Sequence, residues 1–402
     1  MNRLIQFFKQ KYMYILFLLY IFLSVSTLTT FPFVHSDESW LSGLSRNMLE
    51  KKDFSVTETF FDLKIRNPHA IKILFHSIQI LFIKVLGYDI FTFRFISFIF
   101  GIASLFLIYR ISLLIFHSKT LAFFTAVLLA VDVQFVYASH FARQEITILF
   151  ILCFGFWFIL SRKAINCLKD DILLGIIIGL SIGIHPNSFI IALPFGLIYL
   201  VGILTKQKYR IKNLATFIFT TAIFAIFFVF LSFSFDPNFI QNYSSYGNEF
   251  DVFNPLTSKI AQVKDFYLKL YYGVSGTYYT PNIKLQFFLF AITFIISLIK
   301  LYYEKDKELK VSIAEISLSI IAINAGIIFV GRYNQTSAIF LFPFFYLLII
   351  YVIQSFKNRY QIIAISTLLV VLILNTWLNY LPYNKNSYDD YLQNISKAVS
   401  PH

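Results

Sequence analysis

Two adjacent carboxylates, Asp37 and Glu38, follow the first long apolar run of the chain, in the segment VHSDESW. Paired acids at the edge of an apolar run are unfavourable unless they are hydrated or used. A carboxylate in such a place can act as a general base or bind a metal ion. The pair is therefore the first candidate catalytic site. The alternative is a hydrated start of a loop.

A second group of ionisable side chains lies about a hundred residues later. The segment ASHFARQEI places Arg143 two residues before Glu145, at the mouth of another apolar run, with His140 close by. An Arg beside an acid is often only an ion pair, but a guanidinium also binds phosphate well. We predict that Arg143 and Glu145 contact substrate if their loop lies on the same side as Asp37.

Two short turns add further candidates. His185 lies in GIHPNSF, where Pro and Asn account for the turn and the histidine has no structural need. Arg332 and Tyr333 lie in GRYNQ, and Arg332 is the only cation of that short loop. A phosphate group is a plausible partner for Arg332. An Arg that extends toward the membrane surface is the structural alternative.

The composition decides what kind of protein carries these groups. Hydrophobic residues make up 58% of the 402 residues, mean hydropathy is +0.70, and only 14% of residues are charged. A soluble domain has about 25% charged residues, so a soluble globular enzyme is excluded, as is a disordered chain. The net charge of +13 has no nucleic-acid recognition motif with it, so we expect no nucleic-acid partner.

Apolar runs of spanning length predict an all-α polytopic membrane protein with about eleven transmembrane helices, within a range of 10–13. No second soluble domain is expected. The runs lie near residues 12–34, 90–109, 120–138, 145–161, 172–184, 188–204, 214–235, 285–300, 311–330, 336–353 and 361–380.

The loops between these runs differ in charge. Eighteen Lys or Arg residues lie in short segments near residues 3–11, 110–119, 162–169, 206–212, 300–310 and 357–359. The short loops of opposite parity hold only Arg143 and Arg332. Because basic loops stay in the cytoplasm, the N-terminus is predicted to be cytoplasmic and the candidate site extracytoplasmic.

One further apolar segment, residues 70–87, is long enough to cross the membrane. If it did, every later loop would change sides and the basic loops would lie outside. It carries Lys72, His76, Gln79 and Lys84 at helical spacing along one stripe. A polar stripe opposite an apolar face is typical of a helix lying in the membrane interface. We therefore predict an amphipathic interfacial helix within a first outer loop, residues 35–89.

The expected organisation has three parts. An N-terminal catalytic module covers residues 1–235 and includes the first outer loop. A second outer loop, rich in Tyr and Asn, covers 236–284, and C-terminal transmembrane helices with a tail cover 285–402. Loops of such length tend to be functional or disordered.

The order of these features resembles that of integral-membrane glycosyltransferases with the GT-C fold. More narrowly, it is similar to the bacterial protein O-mannosyltransferase and aminoarabinose transferase group, glycosyltransferase family 39 and relatives. The similarity covers residues 30–220 best. It rests on the acidic pair, an Arg66-Asn67-Pro68 entry into the amphipathic helix, Gly87 and Arg94 in LGYDIFTFRFIS, the ARQE acid, the GIHPN turn and a late Arg-Tyr.

The resemblance implies a polyprenyl-phosphate-linked sugar as donor, transfer at the outer face, and a glycan, lipid or protein acceptor. It assigns the catalytic acid to Asp37, with Glu38 beside it, and the acid of the second outer loop to Glu145. Gln144 stands where many relatives have Pro, and Pro68-His69 replaces the usual Pro-Pro. These departures bear on the sugar and the acceptor more than on the fold.

The implied reaction gives each candidate a role. Asp37 accepts the proton of an acceptor hydroxyl as it attacks the anomeric carbon, and polyprenyl phosphate leaves from the opposite face with inversion. Cations stabilise the charge on the leaving phosphate. The candidate cations are Arg94, Arg143, Arg332 and Lys72, and His185 and Tyr333 are further substrate contacts. No cofactor is assigned. A divalent metal ion held by Glu38 or Glu145 is a candidate that would also stabilise the charge on the leaving phosphate.

Two other functions compete with this one. A flippase for lipid-linked saccharides, or a polysaccharide transporter, would need polar helix faces along a cavity, and these runs are mostly apolar. A non-catalytic scaffold would leave the acidic pair unexplained. Within the fold, a ligase or polymerase acting on whole glycan chains remains an alternative.

Overall fold

A computed structural model describes residues 17–57, 67–162, 167–205, 209–249, 252–272, 281–330 and 335–385. Within these ranges the chain is built from helices and contains no strand. The helices are α1 (Phe17–Thr27), α2 (Ser36–Lys51), α3 (Ile73–Leu86), α4 (Ile90–Phe116), α5 (Lys119–Ala130), α6 (Val133–His140), α7 (Glu145–Ser161), α8 (Leu168–Leu180), α9 (Phe189–Leu204), α10 (Ile211–Phe235), α11 (Phe239–Glu249), α12 (Leu256–Tyr272), α13 (Lys284–Tyr303), α14 (Lys307–Val330), α15 (Phe342–Ile353) and α16 (Asn358–Lys385). Three 3₁₀ segments cover Ser181–Gly183, Pro186–Ser188 and Gln335–Leu341.

The predicted all-α polytopic architecture is confirmed, but the count of about eleven spans is not. Seven described helices are long and apolar enough to cross a membrane, or eight if α5 and α6 form one broken span. The other apolar runs are helical where described but shorter: α7 has 17 residues and α8 has 13. The run at 12–34 lies partly outside the described residues. Hydropathy alone does not predict where an apolar run is bent or divided into two helices.

The break between α5 and α6 is organised by a buried aspartate, Asp132. The two helices differ in direction by 67°. Oδ1 of Asp132 accepts the backbone N–H of Gln134 at 2.8 Å, and so caps α6. Oδ2 accepts hydrogen bonds from Gln286 of α13, at 2.9 Å, and from the Tyr346 hydroxyl of α15, at 2.7 Å. A polar group inside an apolar run therefore connects three parts of the bundle.

Helix α3 corresponds to the amphipathic segment of the first outer loop. It has 14 residues and is too short to span. Two members of its polar stripe, His76 and Gln79, are buried against α2, whereas Lys84 of the same stripe is exposed, as are Leu81 and Val85. Part of the polar stripe of α3 therefore contacts protein.

The second long loop, residues 236–284, also contains helices. Within it, α11 and α12 are described, and α12 packs against α13 and α14. Phe266 and Leu270 of α12 are buried four residues apart, which is the spacing of one helical face. The segment is thus a helical cover on the bundle.

Two glycines bring α8 close to α10. Gly175 and Gly179 are spaced four residues apart, so they lie along one face of α8. A Cβ on Gly179 would come within 2.8 Å of the backbone oxygen of Thr221 on α10. Small residues at such spacing allow helix backbones to approach closely in a membrane, where apolar side chains alone give little driving force for association.

We expect Gly179→Ala to destabilise the protein by about 1–3 kcal/mol, because the added methyl group meets backbone that cannot rotate away. Gly196→Ala on α9 is the matched control, since a Cβ there meets nothing within 4 Å. Thermal unfolding of both variants in detergent provides the measurement. Equal melting temperatures for the two variants would contradict the close approach.

Candidate active site

The acidic pair opens α2, and His35 caps this helix. The Nδ1 atom of His35 accepts the backbone N–H of Asp37 at 3.0 Å, and the Glu38 carboxylate accepts the backbone N–H of His35 at 3.0 Å. This reciprocal arrangement is a capping box. Negative side chains in the first turn are also favourable at a helix N-terminus. The position of both acids is therefore defined by the start of α2.

Glu38 is buried in a network with Arg94 of α4. Oε1 and Oε2 of Glu38 accept from Nε and Nη2 of Arg94, each at 2.9 Å. Oε1 also accepts the backbone N–H of Ala142 at 2.8 Å, and Nη1 of Arg94 donates to the Leu28 carbonyl at 3.0 Å. The Arg94 side chain is 0% exposed and that of Glu38 is 1% exposed. Both carboxylate oxygens of Glu38 are thus engaged in holding the protein together.

Asp37 contacts a different cation, Arg143. Its Oδ2 lies 2.9 Å from Nη1 of Arg143, and the side chain remains 20% exposed. Nη2 of Arg143 lies 2.9 Å from Oε1 of Glu145, which also accepts from the hydroxyl of Thr336 at 2.7 Å. The structure therefore brings Asp37, Arg143 and Glu145 together, although they come from distant parts of the sequence. The other oxygen of Glu145, Oε2, is buried without a partner among the described residues.

A cavity of about 700 Å³ lies further along α2. Trp40, Leu44 and Met48 line it along one face of that helix. Asp37 lies one helical turn before Trp40, but neither it nor its partners Arg143 and Glu145 line this cavity. Arg143 and Glu145 instead line a second, much smaller pocket of about 10 Å³.

Several cationic and imidazole side chains line the cavity. Nζ of Lys72 lies 4.9 Å from the centre of the Trp40 ring. His185 accepts the backbone N–H of Asn187 at 3.0 Å within the predicted turn. Nζ of Lys259 donates to the carbonyls of Val252 and Phe329, both at 2.6 Å. Lys72 and His185 therefore share one cavity.

The remaining sequence candidates lie elsewhere. Arg94 does not line the cavity, because Glu38 and Leu28 take up its guanidinium. Arg332 and Tyr333 lie outside the described residues. The sequence reading missed Trp40 and Lys259, and it also missed Asp236, which follows α10 and lines the cavity. The i, i+4, i+8 spacing of Trp40, Leu44 and Met48 was the signal that could have marked the cavity wall.

The donor set does not fit a resident metal ion. Among the described residues, no three His, Cys, Asp or Glu side chains converge as ligands. Glu38 uses both oxygens on Arg94, and Oε1 of Glu145 is shared by Arg143 and Thr336. A divalent metal at Glu38 or Glu145 stays a prediction.

Comparison with known proteins gives this geometry a family context. A family model described as dolichyl-phosphate-mannose-protein mannosyltransferase matches residues 69–233. A search of curated proteins found no match. The fold is similar to that of ArnT from Cupriavidus metallidurans bound to undecaprenyl phosphate, with 13% identity and a TM-score of 0.58 over 89% of this chain and 63% of that chain. The structure of the same ArnT in the apo state matches with 15% identity and a TM-score of 0.61, over 86% of this chain and 60% of that chain.

A second group of similar structures is archaeal. Oligosaccharyltransferase AglB from Archaeoglobus fulgidus, in complex with an inhibitory peptide and a dolichol-phosphate, matches with 13% identity and a TM-score of 0.55. That match covers 92% of this chain but 55% of AglB, so the chain spans only part of the length of these proteins.

These matches confirm the resemblance predicted from the sequence at the level of fold. The chain is a multi-pass membrane protein with the fold of the GT-C glycosyltransferases.

The buried ion pair gives a stability prediction. Arg94→Met would leave the Glu38 carboxylate buried without its partner, which costs about 3–5 kcal/mol. Replacing both residues by Met should be less harmful than the sum of the two single changes. Melting temperatures in detergent measure all three variants.

The control for this prediction is the exposed pair Arg46 and Glu50, whose nearest charged atoms are 3.8 Å apart. Arg46→Met should change stability by about 1 kcal/mol or less, because water already solvates both groups. If Arg94→Met melted at the temperature of Arg46→Met, the network around Glu38 would not hold the fold together.

Proposed function

We propose that this protein is a membrane glycosyltransferase that moves a sugar from a polyprenyl-phosphate-linked donor to an acceptor hydroxyl at the extracytoplasmic face, with inversion. The observation that carries the proposal is the placement of Asp37. It is a partly exposed carboxylate, contacted by Arg143, one helical turn before Trp40 of the cavity wall.

Asp37 serves as the general base. It takes the proton of the acceptor hydroxyl while the hydroxyl oxygen attacks the anomeric carbon, and the bond from that carbon to the phosphate oxygen breaks. Arg143 holds Oδ2 at 2.9 Å and so orients the carboxylate. Attack opposite to the leaving group inverts the anomeric centre.

Lys72 is the cavity cation best placed for the leaving phosphate. It precedes α3 and lies over the Trp40 ring, one turn from Asp37 along α2. A fixed positive charge stabilises the negative charge that grows on the phosphate as the bond breaks. The similar structures support a lipid-linked donor, since one holds undecaprenyl phosphate and another a dolichol-phosphate.

Glu38 and Arg94 take a positioning role in this proposal. Their bidentate pair fixes the start of α2 against α4 and against the backbone of Ala142. Asp37 is adjacent to Glu38 and Arg143 is adjacent to Ala142. The same network therefore positions both Asp37 and Arg143. Glu145 acts with Arg143, through the contact between Nη2 and Oε1.

Charge distribution supports an extracytoplasmic site. Helix α4 carries Arg94 near its start and runs 27 residues, about 40 Å, to a turn with Lys119. Helix α7 likewise begins at Glu145 and ends beside Arg162. The basic segments therefore follow the far ends of helices that begin at the site, and basic loops are typically cytoplasmic.

The central test is Asp37→Asn, which keeps the shape of the side chain and removes the base. We expect transfer to fall roughly 10²–10⁴-fold, the usual contribution of a general base. Mass spectrometry of surface glycans, glycolipids and glycoproteins in a deletion strain carrying each variant measures the effect.

The exposed Asp53→Asn is the control and should restore wild-type glycans. Near-normal transfer by Asp37→Asn would refute the assignment. Movement of lipid-linked saccharide across proteoliposomes without any transfer would favour a flippase instead.

A second prediction concerns Lys72. Lys72→Gln removes the charge from the cavity, so we expect KM for the polyprenyl-phosphate donor to rise about tenfold, near 1.4 kcal/mol. Lys84→Gln, on the exposed side of α3, is the control and should leave KM unchanged. Donor titration with purified variants in nanodiscs separates the two. Equal KM values would remove Lys72 from the donor site.

A further inference from the structure

A buried polar cluster lies between α2 and α3, away from Asp37. The Ser45 hydroxyl lies 2.8 Å from Nδ1 of His76 and 2.6 Å from Oε1 of Gln79. Ser45 is completely buried, and the other two side chains are nearly so. Nothing in the proposed transfer reaction uses this cluster, and two of its members belong to the polar stripe of α3.

The hydrogen-bond directions in the cluster determine the tautomer of His76. Oε1 of Gln79 is an acceptor, so the Ser45 hydroxyl donates its hydrogen to it. The backbone carbonyl of Leu41, 3.1 Å from the hydroxyl, also can only accept. The Ser45 oxygen must therefore accept from His76, which places the imidazole proton on Nδ1. Nε2 then carries a lone pair and no hydrogen.

The other side of the ring faces the cavity. His76 lines the 700 Å³ cavity that contains Lys72. Ser45 takes up Nδ1, and Nε2, on the opposite side of the ring, has no hydrogen-bond partner among the described residues. The atom therefore reaches the cavity space as an acceptor.

The ring also stays neutral. Burial, with additional repulsion from the positive charges of Lys72 and His69, lowers the pKa of His76 to about 3. At neutral pH the imidazole therefore cannot serve as a cation for phosphate. It is an acceptor in a cavity wall whose neighbouring charged group, Lys72, can only donate.

We propose that Nε2 of His76 accepts a hydrogen bond from a hydroxyl group of the saccharide substrate and so helps to select that substrate. This inference rests on the proposed function for the identity of the ligand. Ser45 lies eight residues after Asp37 along α2, about 12 Å at 1.5 Å per residue. The recognised hydroxyl is thus remote from the reacting carbon, and the contact acts on binding rather than on the chemical step.

Two substitutions separate this role from a structural one. His76→Asn keeps an amide near the Nδ1 position, beside Ser45, and removes the acceptor from the cavity. His76→Gln reaches further and places an amide oxygen near the position of Nε2. We expect His76→Asn to raise KM about tenfold with little change in kcat, and His76→Gln to stay within about threefold of wild type. A purely structural histidine predicts the reverse order, which would overturn the proposal.

The kinetic assay uses purified protein in nanodiscs, with a lipid extract of the deletion strain titrated as donor source and glycan products measured by mass spectrometry. His117→Asn at the exposed end of α4 is the control. Its positive φ of 52° is a conformation that Asn tolerates, so its kinetics should match wild type.

A spectroscopic measurement does not depend on turnover. In protein labelled with ¹⁵N-histidine, we expect His76 to be neutral with its proton on Nδ1 at pH 7, and its Nε2 resonance to shift when the lipid extract is added, also in Asp37→Asn. A proton on Nε2, or no shift while transfer proceeds, overturns the role of His76. A shift without any transfer by wild type would instead refute the proposed function and retain the binding contact.

Discussion

The buried pair of Glu38 and Arg94 is the interaction on which the site depends. A guanidinium and a carboxylate with almost no exposure are stable because both are well bonded: two bonds to each other, two from the backbone N–H groups of His35 and Ala142, and one to the Leu28 carbonyl. These bonds join the end of α1, the start of α2, the first turns of α4 and the segment before α7. Two of these pieces, the start of α2 and the segment before α7, carry Asp37 and its partner Arg143. The geometry of the candidate base is therefore a consequence of a charge pair that itself has no access to substrate.

Adjacent carboxylates take different roles because they follow each other on a helix. Successive residues of a helix point about 100° apart, since a turn takes 3.6 residues. Glu38 accordingly faces α4, and Asp37 faces Arg143. The capping box at His35 fixes where this helix begins, and so fixes which acid faces which way. A shift of one residue in that start would move both acids out of these environments.

Polar groups in the apolar bundle break and connect helices at places where hydropathy alone predicts uninterrupted transmembrane helices. Asp132 caps α6 at the 67° break and contacts α13 and α15, and α6 leads directly to the segment that carries Arg143. The glycine face of α8 allows a close approach to α10, which ends next to Asp236 in the cavity wall. In a membrane such hydrogen bonds and close contacts replace much of the driving force that water supplies to soluble folds.

The sequence by itself determined the class of the protein: composition and apolar periodicity require many membrane helices, and the order of motifs indicated the GT-C fold. It also picked out Asp37, Arg143 and Glu145, because charges are scarce in such a chain and stand out. Side-chain chemistry alone could not divide roles between Asp37 and Glu38, because both are carboxylates and differ only in their neighbours; only the family resemblance named Asp37. Nor could the sequence place Arg94 away from the cavity, bury His76 and Gln79 of α3 against α2, or break the 120–138 run at Asp132. Those outcomes depend on contacts between residues far apart in the chain, and only the tertiary structure decides them.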